Sequence, residues 1–216
     1  MLASLITFLL FSSSNLVVAK DSCNSFADYP AEFSSSFQQP VPPNVNNEYQ
    51  ASWVQHKWNT NVSHITAGFL YNSPAAGKVR VDEAYEMTIA SAIFDYTNVS
   101  SDGLVSNILY SYSPTIASKP TIFSDYVNSN FPLFTKDVLK VNGAVYTGLT
   151  TRDKIGKVSS WSIMYQNAIP VTVFLDGCNT IVGYDYFSPG LRTRVVTEYF
   201  NIQVGPVSDE VFKLPS

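Results

Sequence analysis

Alternation with a period of two residues, repeated from segment to segment and punctuated by turn signals, is what most constrains how this chain of 216 residues can fold. Successive side chains of a strand point to opposite faces, so such a pattern builds half-buried sheets and cannot line up one stripe of a helix. Ile65, Ala67, Phe69 and Tyr71 share one face, with His64, Thr66 and Gly68 on the other. Ser73-Pro74-Ala75-Ala76-Gly77 follows as a turn, and Val79 and Val81 then alternate with Lys78, Arg80 and Asp82. This is the pattern of a hairpin with a longer loop. Leu104, Ile108, Tyr110 and Tyr112 share a face after the turn residues Ser100-Ser101-Asp102-Gly103. Trp161, Ile163 and Tyr165 repeat the pattern, as do Ile169, Val171, Val173 and Leu175. Asp176-Gly177 marks a tight turn before Thr180 to Phe187, and Val195 to Val204 is rich in β-branched and aromatic residues.

Two segments depart from this rhythm. From Asp82 to Tyr96, the residues Tyr85, Ile89, Ile93 and Tyr96 suit a helical stripe, while Met87, Ile89 and Ile93 suit a strand. Ser113 to Leu139 contains Pro114, Pro120 and Pro132 and reads as a long surface connection, with a short helix beginning near Thr135-Lys136-Asp137. No composition break and no internal repeat divides the chain, so one antiparallel β domain is expected.

The amino terminus is set apart from that domain. Leu2 to Phe11 are almost uninterruptedly apolar, and Val17-x-Ala19 before Lys20 is a small-residue cleavage site. At ~1.5 Å per residue, an apolar core this short reaches only about half of a ~30 Å bilayer interior. Residues 1–19 are therefore expected to be a signal peptide and 20–216 a single secreted domain, with no integral membrane segment in the mature chain. Two sequons agree with export, Asn61-Val62-Ser63 and Asn98-Val99-Ser100, which make Asn61 and Asn98 candidate glycosylation sites. In an oxidising compartment, Cys23 and Cys178 would pair as a single bridge, two free thiols being the alternative. No Cys/His spacing resembles a zinc site, and no oxygen-rich loop of the EF-hand kind occurs, so neither metal nor cofactor is expected.

Thirteen Lys and Arg against 17 Asp and Glu leave a net charge of −4, too few cations for a dedicated nucleic-acid surface. Neither histidine, His56 nor His64, lies in an HExxH pattern, and no nucleophile elbow, phosphate loop or dinucleotide fingerprint occurs. The acids Asp82-Glu83, Asp185 and Asp209-Glu210 would have to face one another across a cleft to hydrolyse a glycan. On a strand, Asp82 and Glu83 point to opposite faces. No catalytic residue is assigned, and a binding protein is expected ahead of a secreted glycan-active hydrolase or a structural adhesion module.

Phe69, Tyr71, Tyr110, Trp161 and Tyr165 lie on apolar strand faces. Packed together they would be ordinary core; held apart by a curved sheet, they would leave an apolar cavity suited to a fatty or sterol-like ligand. Each CH2 removed from water contributes about 0.8 kcal/mol, so a long acyl chain can bind without a charged contact. The candidate lining is Phe69, Tyr71, Val79, Val81, Tyr85, Ile108, Tyr110, Trp161, Ile163, Val171 and Val173.

Several blocks, taken in order, resemble the ependymin-related proteins: Gly77-Lys78-Val79-Arg80-Val81-Asp82-Glu83, Trp161-x-x-x-Tyr165, Asp176-Gly177-Cys178, and Thr197-Glu198-Tyr199-Phe200-Asn201-Ile202-Gln203-Val204-Gly205 followed by Asp209, Phe212 and Pro215. The resemblance implies a mostly β fold similar to LolA-type lipoprotein carriers. Such a fold has two stacked, strongly curved antiparallel sheets around a hydrophobic pocket, with little helix. It also implies a secreted protein that carries or sequesters a lipid, fatty acid or sterol, often as a homodimer and sometimes with calcium. Cys23 and Cys178 match the bridge of that family, and the Asp82–Tyr96 stretch becomes strand.

Overall fold

The computed structural model describes residues 26, 39–61, 63–85, 87–113, 119–129, 131–165, 169–188 and 192–214. The expected signal peptide 1–19, and Cys23 with it, lie outside the described residues.

The strands are β1 (Tyr49–Trp58), β2 (Ser63–Ser73), β3 (Lys78–Tyr85), β4 (Thr88–Val99), β5 (Val105–Tyr112), β6 (Thr121–Val127), β7 (Val145–Arg152), β8 (Gly156–Tyr165), β9 (Ile169–Leu175), β10 (Ile181–Ser188) and β11 (Thr193–Val204). They form one 11-stranded sheet in the order β6-β5-β4-β3-β2-β1-β11-β10-β9-β8-β7. Each half is a meander of antiparallel neighbours, and the pairing of β1 with β11 joins the halves. Of the expected mostly β fold with two stacked, strongly curved antiparallel sheets and little helix, the structure shows one large antiparallel ladder of 11 strands with little helix. The strand that makes it continuous is β1, where no element is expected from the sequence.

Turn chemistry sets the hairpins. Gly77 closes the β2–β3 loop at φ +65, with its N–H donating to Pro74 O at 3.1 Å. A Cβ there would meet the Thr97 side chain, so glycine is required twice over. Between β9 and β10, Asp176 Oδ1 accepts the N–H groups of Cys178 and Thr180, both at 2.9 Å. The Asp82–Tyr96 stretch is strand, with Met87 at φ 65 turning β3 into β4.

The sheet curls strongly. Tyr96 on β4 and Tyr165 on β8 are seven strand spacings apart in the ladder, which on a flat sheet would be about 33 Å. Yet burial and the neighbouring Tyr165 together push the Tyr96 phenol well above its usual range. The two halves therefore bend toward each other, and the inner face carries the main core: Tyr49, Trp53, Leu70, Val79, Val81, Trp161, Val173, Leu175, Tyr184 and Tyr199 among others. A smaller cluster, Val158, Phe174 and Val182, lies on the outer face.

The 113–139 stretch departs most from expectation. It contains β6, and beyond β6 it runs across the inner face, burying Phe131, Phe134, Val138 and Leu139. Only a short helix, α1 (Val138–Val141), interrupts it. Phe131 packs edge-on to Trp53 with ring centroids 5.0 Å apart, and Phe134 packs edge-on to Tyr184 at 5.7 Å. Prolines are compatible with this path because Pro120 stands just before β6 and Pro132 lies in the crossover beyond it, outside any strand. Asn72, fully buried on β2, anchors it. Its side-chain NH2 donates to Asn47 O at 2.6 Å and Phe134 O at 3.0 Å, and its Oδ1 accepts from Phe134 N at 3.1 Å. Tyr96 Oη adds a bond to Phe131 O at 2.7 Å.

Candidate functional site

A cavity of about 610 Å3 remains between the inner face and this crossover. Its floor is read from the strand register. His64, Lys57, Val195, Tyr186, Val171 and Ile163 stand opposite one another on β2, β1, β11, β10, β9 and β8, forming one continuous row of lining residues. Ser188 opposite Thr193, and Tyr165 opposite Ile169, line it toward one end, and Tyr184 lines it toward the core. The roof is the crossover, through Asn128, Ser129, Pro132 and Phe134. Trp58 and Asn59 complete the rim. The volume falls within the ~300–1,000 Å3 usual for small-molecule sites.

The lining is apolar and aromatic, with a few polar groups. Burial pushes the Tyr186 phenol up to about 12 and raises Tyr165 and Tyr184 as well, so these hydroxyls stay neutral at any ordinary pH. Burial lowers the Lys57 ammonium, an effect opposed by the charge of Glu83 on the same face of β3. His64 packs edge-on to Tyr85 at 5.5 Å, and its Nδ1 is buried without a hydrogen-bond partner among the described residues.

Of the residues singled out from the sequence, Ile163 and Val171 line this cavity. Trp161 and Val173 lie on the same inner face, buried in the core beside it, as do Val79 and Val81 in the other half of the sheet. Tyr85 lies at the end of β3, 37% exposed against His64. Phe69, Tyr71, Ile108 and Tyr110 do not reach the cavity, because the faces of β2 and β5 are the reverse of what their apolar content suggests. Leu70 and Asn72 point inward, and Phe69 is 56% exposed on the outer face. The register places Phe69 beside Ser52, Phe200 and Asp82, and Tyr71 beside Arg80. Phe69 and Tyr71 instead border a second, more open depression of about 640 Å3 with Gln50, Ser52, Asn201 and Gln203. On β2 the inward Asn72 amide binds the crossover backbone, a contact that apolar alternation does not register. Sequence reasoning missed Lys57, Tyr184, Tyr186, Val195 and the whole roof.

The carboxylates are engaged elsewhere. Asp82 pairs with Arg80 Nε at 2.8 Å and accepts a short hydrogen bond from Ser91 on the outer face. Asp185 pairs with Arg152 at 3.1 Å, and that arginine also reaches Glu198 at 3.4 Å and lies over the Phe174 ring at 4.2 Å. Among the described residues, no three His, Cys, Asp or Glu gather as a metal site, and no helix is long and apolar enough to cross a membrane. Asn61 and Asn98 are exposed, and Asn98 Oδ1 accepts from Tyr126 Oη at 2.8 Å. Cys178 lies in the β9–β10 turn, where its carbonyl accepts from Asn46 Nδ2 at 3.1 Å.

No family model matches the chain, and no curated protein matches its sequence. Solved structures with distant similarity include an uncharacterized conserved protein from Thermus thermophilus, 10% identical with a TM-score of 0.41, covering 80% of this chain and 88% of that one. MucB in the Pseudomonas aeruginosa MucA/MucB complex matches at 7% identity and a TM-score of 0.40, over 79% of this chain and 57% of that one. A putative outer membrane lipoprotein-sorting protein domain from Vibrio parahaemolyticus matches at 7% and 0.37, over 79% and 91%. Likeness at this distance assigns neither ligand nor role.

Proposed function

We propose that this protein is a non-enzymatic binder that carries or sequesters a hydrophobic small molecule, a fatty acid, lipid or sterol, in the cavity under the β6–β7 crossover. The observation that carries this reading is the cavity itself: about 610 Å3, floored by Val195, Val171 and Ile163 and walled by aromatic rings. An apolar ligand of that size would gain about 0.8 kcal/mol for each CH2 removed from water. The apolar leader and the sequons support an extracellular setting, in which Cys23 and Cys178 would be bridged and Asn61 and Asn98 glycosylated. The order of the ependymin-like blocks supports the same reading, and the exposed β6 edge would let two copies pair.

Solvent extraction of the purified protein followed by mass spectrometry, together with uptake of a fluorescent fatty acid, tests it. The expected result is a co-purifying apolar molecule and saturable uptake, with uptake abolished in Val171→Trp. Circular dichroism of that variant checks that the fold is kept. Recovery of nothing apolar, together with no uptake, rejects the proposal.

A further inference from the structure

Charge is confined to one end of the cavity; the other polar groups of its lining, Tyr165, Tyr186, Ser188, Thr193, Asn128 and Ser129, are neutral. Along the floor, the β2–β1 end presents His64 and Lys57, while the β9–β8 end presents Val171 and Ile163, with Ile169 beside them. Lys57 and Ile163 are four strand spacings apart, roughly 19 Å along the sheet. Asn59 joins the polar end at the rim. The floor row thus runs from a cation on β1, past the neutral Tyr186 phenol, to Val171 and Ile163.

Lys57 is the cation at the head of this row. It makes no ion pair with any described residue, and among the described lysines and arginines it is the one that lines the cavity. Its stem rises from β1 between His64 and Val195, and neither strand neighbour offers it a carboxylate. Glu83, on the inner face of β3, attracts it from outside the cavity lining. A part-buried ammonium beside an apolar wall is costly unless an anion meets it there.

We infer that the ligand is a single-chain amphiphile with a carboxylate head, bound with that head against Lys57 and its tail running along the floor toward Val171 and Ile163. This rests on the carrier reading above and narrows it. A sterol or a neutral glyceride would leave the ammonium answered only by Glu83 from outside the lining, whereas a fatty acid places a carboxylate against Lys57 and a chain against Val171 and Ile163. Arg194 is not a competing anchor, because it lies over the Trp58 ring at 5.6 Å and does not line the cavity.

The test compares oleate with oleyl alcohol, which share a chain and differ in the head, on the full-length protein and on Lys57→Met and Lys57→Arg, with circular dichroism confirming the fold of each variant. Wild type is expected to bind oleate at least about tenfold more tightly than the alcohol, the size of one charge-assisted hydrogen bond. Lys57→Met should remove that preference, bringing the two affinities together, and Lys57→Arg should retain most of it. Equal affinity of the two ligands for wild type overturns the head assignment, as does an oleate affinity that Lys57→Met does not change. If Lys57→Met does not fold, the wild-type preference and Lys57→Arg still decide. Failure of both ligands to bind wild type is a different outcome and removes the carrier reading itself.

Discussion

Asn72 shows how much a single inward amide can determine. Both of its amide hydrogens and its carbonyl oxygen are used, two of the three bonds holding Phe134. Replacing it with Ala would strand the Phe134 N–H and C=O in a buried setting at about 1–3 kcal/mol each. Asn72→Ala is expected to lower unfolding free energy by roughly 3 kcal/mol, read from the shift in urea midpoint, and to weaken ligand uptake because the roof loses its anchor. An unchanged midpoint would mean that the crossover is held by its phenylalanines alone. The same residue explains why the inner face of β2 is illegible in the sequence. There Ile65, Phe69 and Tyr71 stand against Thr66, Gly68 and Asn72, and the transfer energies of side chains alone favour burying the first set. The inward Asn72 meets a partner 62 residues away in sequence, which no local pattern contains. Where no such partner intervenes, as at Ile163 and Val171, alternation and inward orientation agree.

Among the elements, the hairpins with glycine or Asx chemistry are the legible ones. Ser73–Gly77, Ser100–Gly103 and Asp176-Gly177 all turn where their residues require. β1 is not legible because its inner positions run Tyr49, Ala51, Trp53, Gln55 and Lys57, so the apolar alternation breaks midway. Gln55 is nonetheless fully buried, donating to Thr197 Oγ1 at 2.9 Å, and Lys57 faces the cavity. The two polar residues that hide the strand from pattern reading are the ones that join the halves and supply the cation. The crossover is illegible for a related reason: three prolines suggest solvent, while Phe131 and Phe134 find their partners only after the sheet has curled. Truncating the crossover's deepest ring tests this element. Phe134→Ala should destabilise the protein by about 3–5 kcal/mol and extend the cavity toward Tyr184. The measurement is the denaturation midpoint together with relative uptake of straight and branched fatty acids, and branched chains should gain. No gain would indicate that the roof collapses into the space.

Over the whole molecule, the tyrosines set a limit on pH. Tyr49, Tyr184 and Tyr199 are fully enclosed, and burial is the first cause of the rise in each phenol. They form a chain of rings, Tyr49 to Tyr199 at 6.2 Å, Tyr199 to Tyr184 at 6.1 Å, and Tyr184 stacked on Tyr186 at 6.2 Å. In the unfolded chain each would ionise near ~10, so the stability they contribute is complete below that pH and is lost as pH rises toward the higher folded values. Thermal melts from about pH 9 to about pH 11 should show a falling midpoint, with the absorbance of buried tyrosinate appearing only as the fold is lost. A midpoint flat across that range would contradict the enclosure of these rings.

A last consequence belongs to the ends of the ladder. Among the described residues β6 pairs only with β5, and β7 only with β8, so the curled sheet stops short of a closed tube. A barrel could admit a thicker guest only by breaking a backbone ladder, whereas here the slit between the two rims can widen while every strand keeps its partners. The girth of the container is therefore governed by how firmly one looping segment grips its interior, and a family of guests of differing width can share one binding chamber.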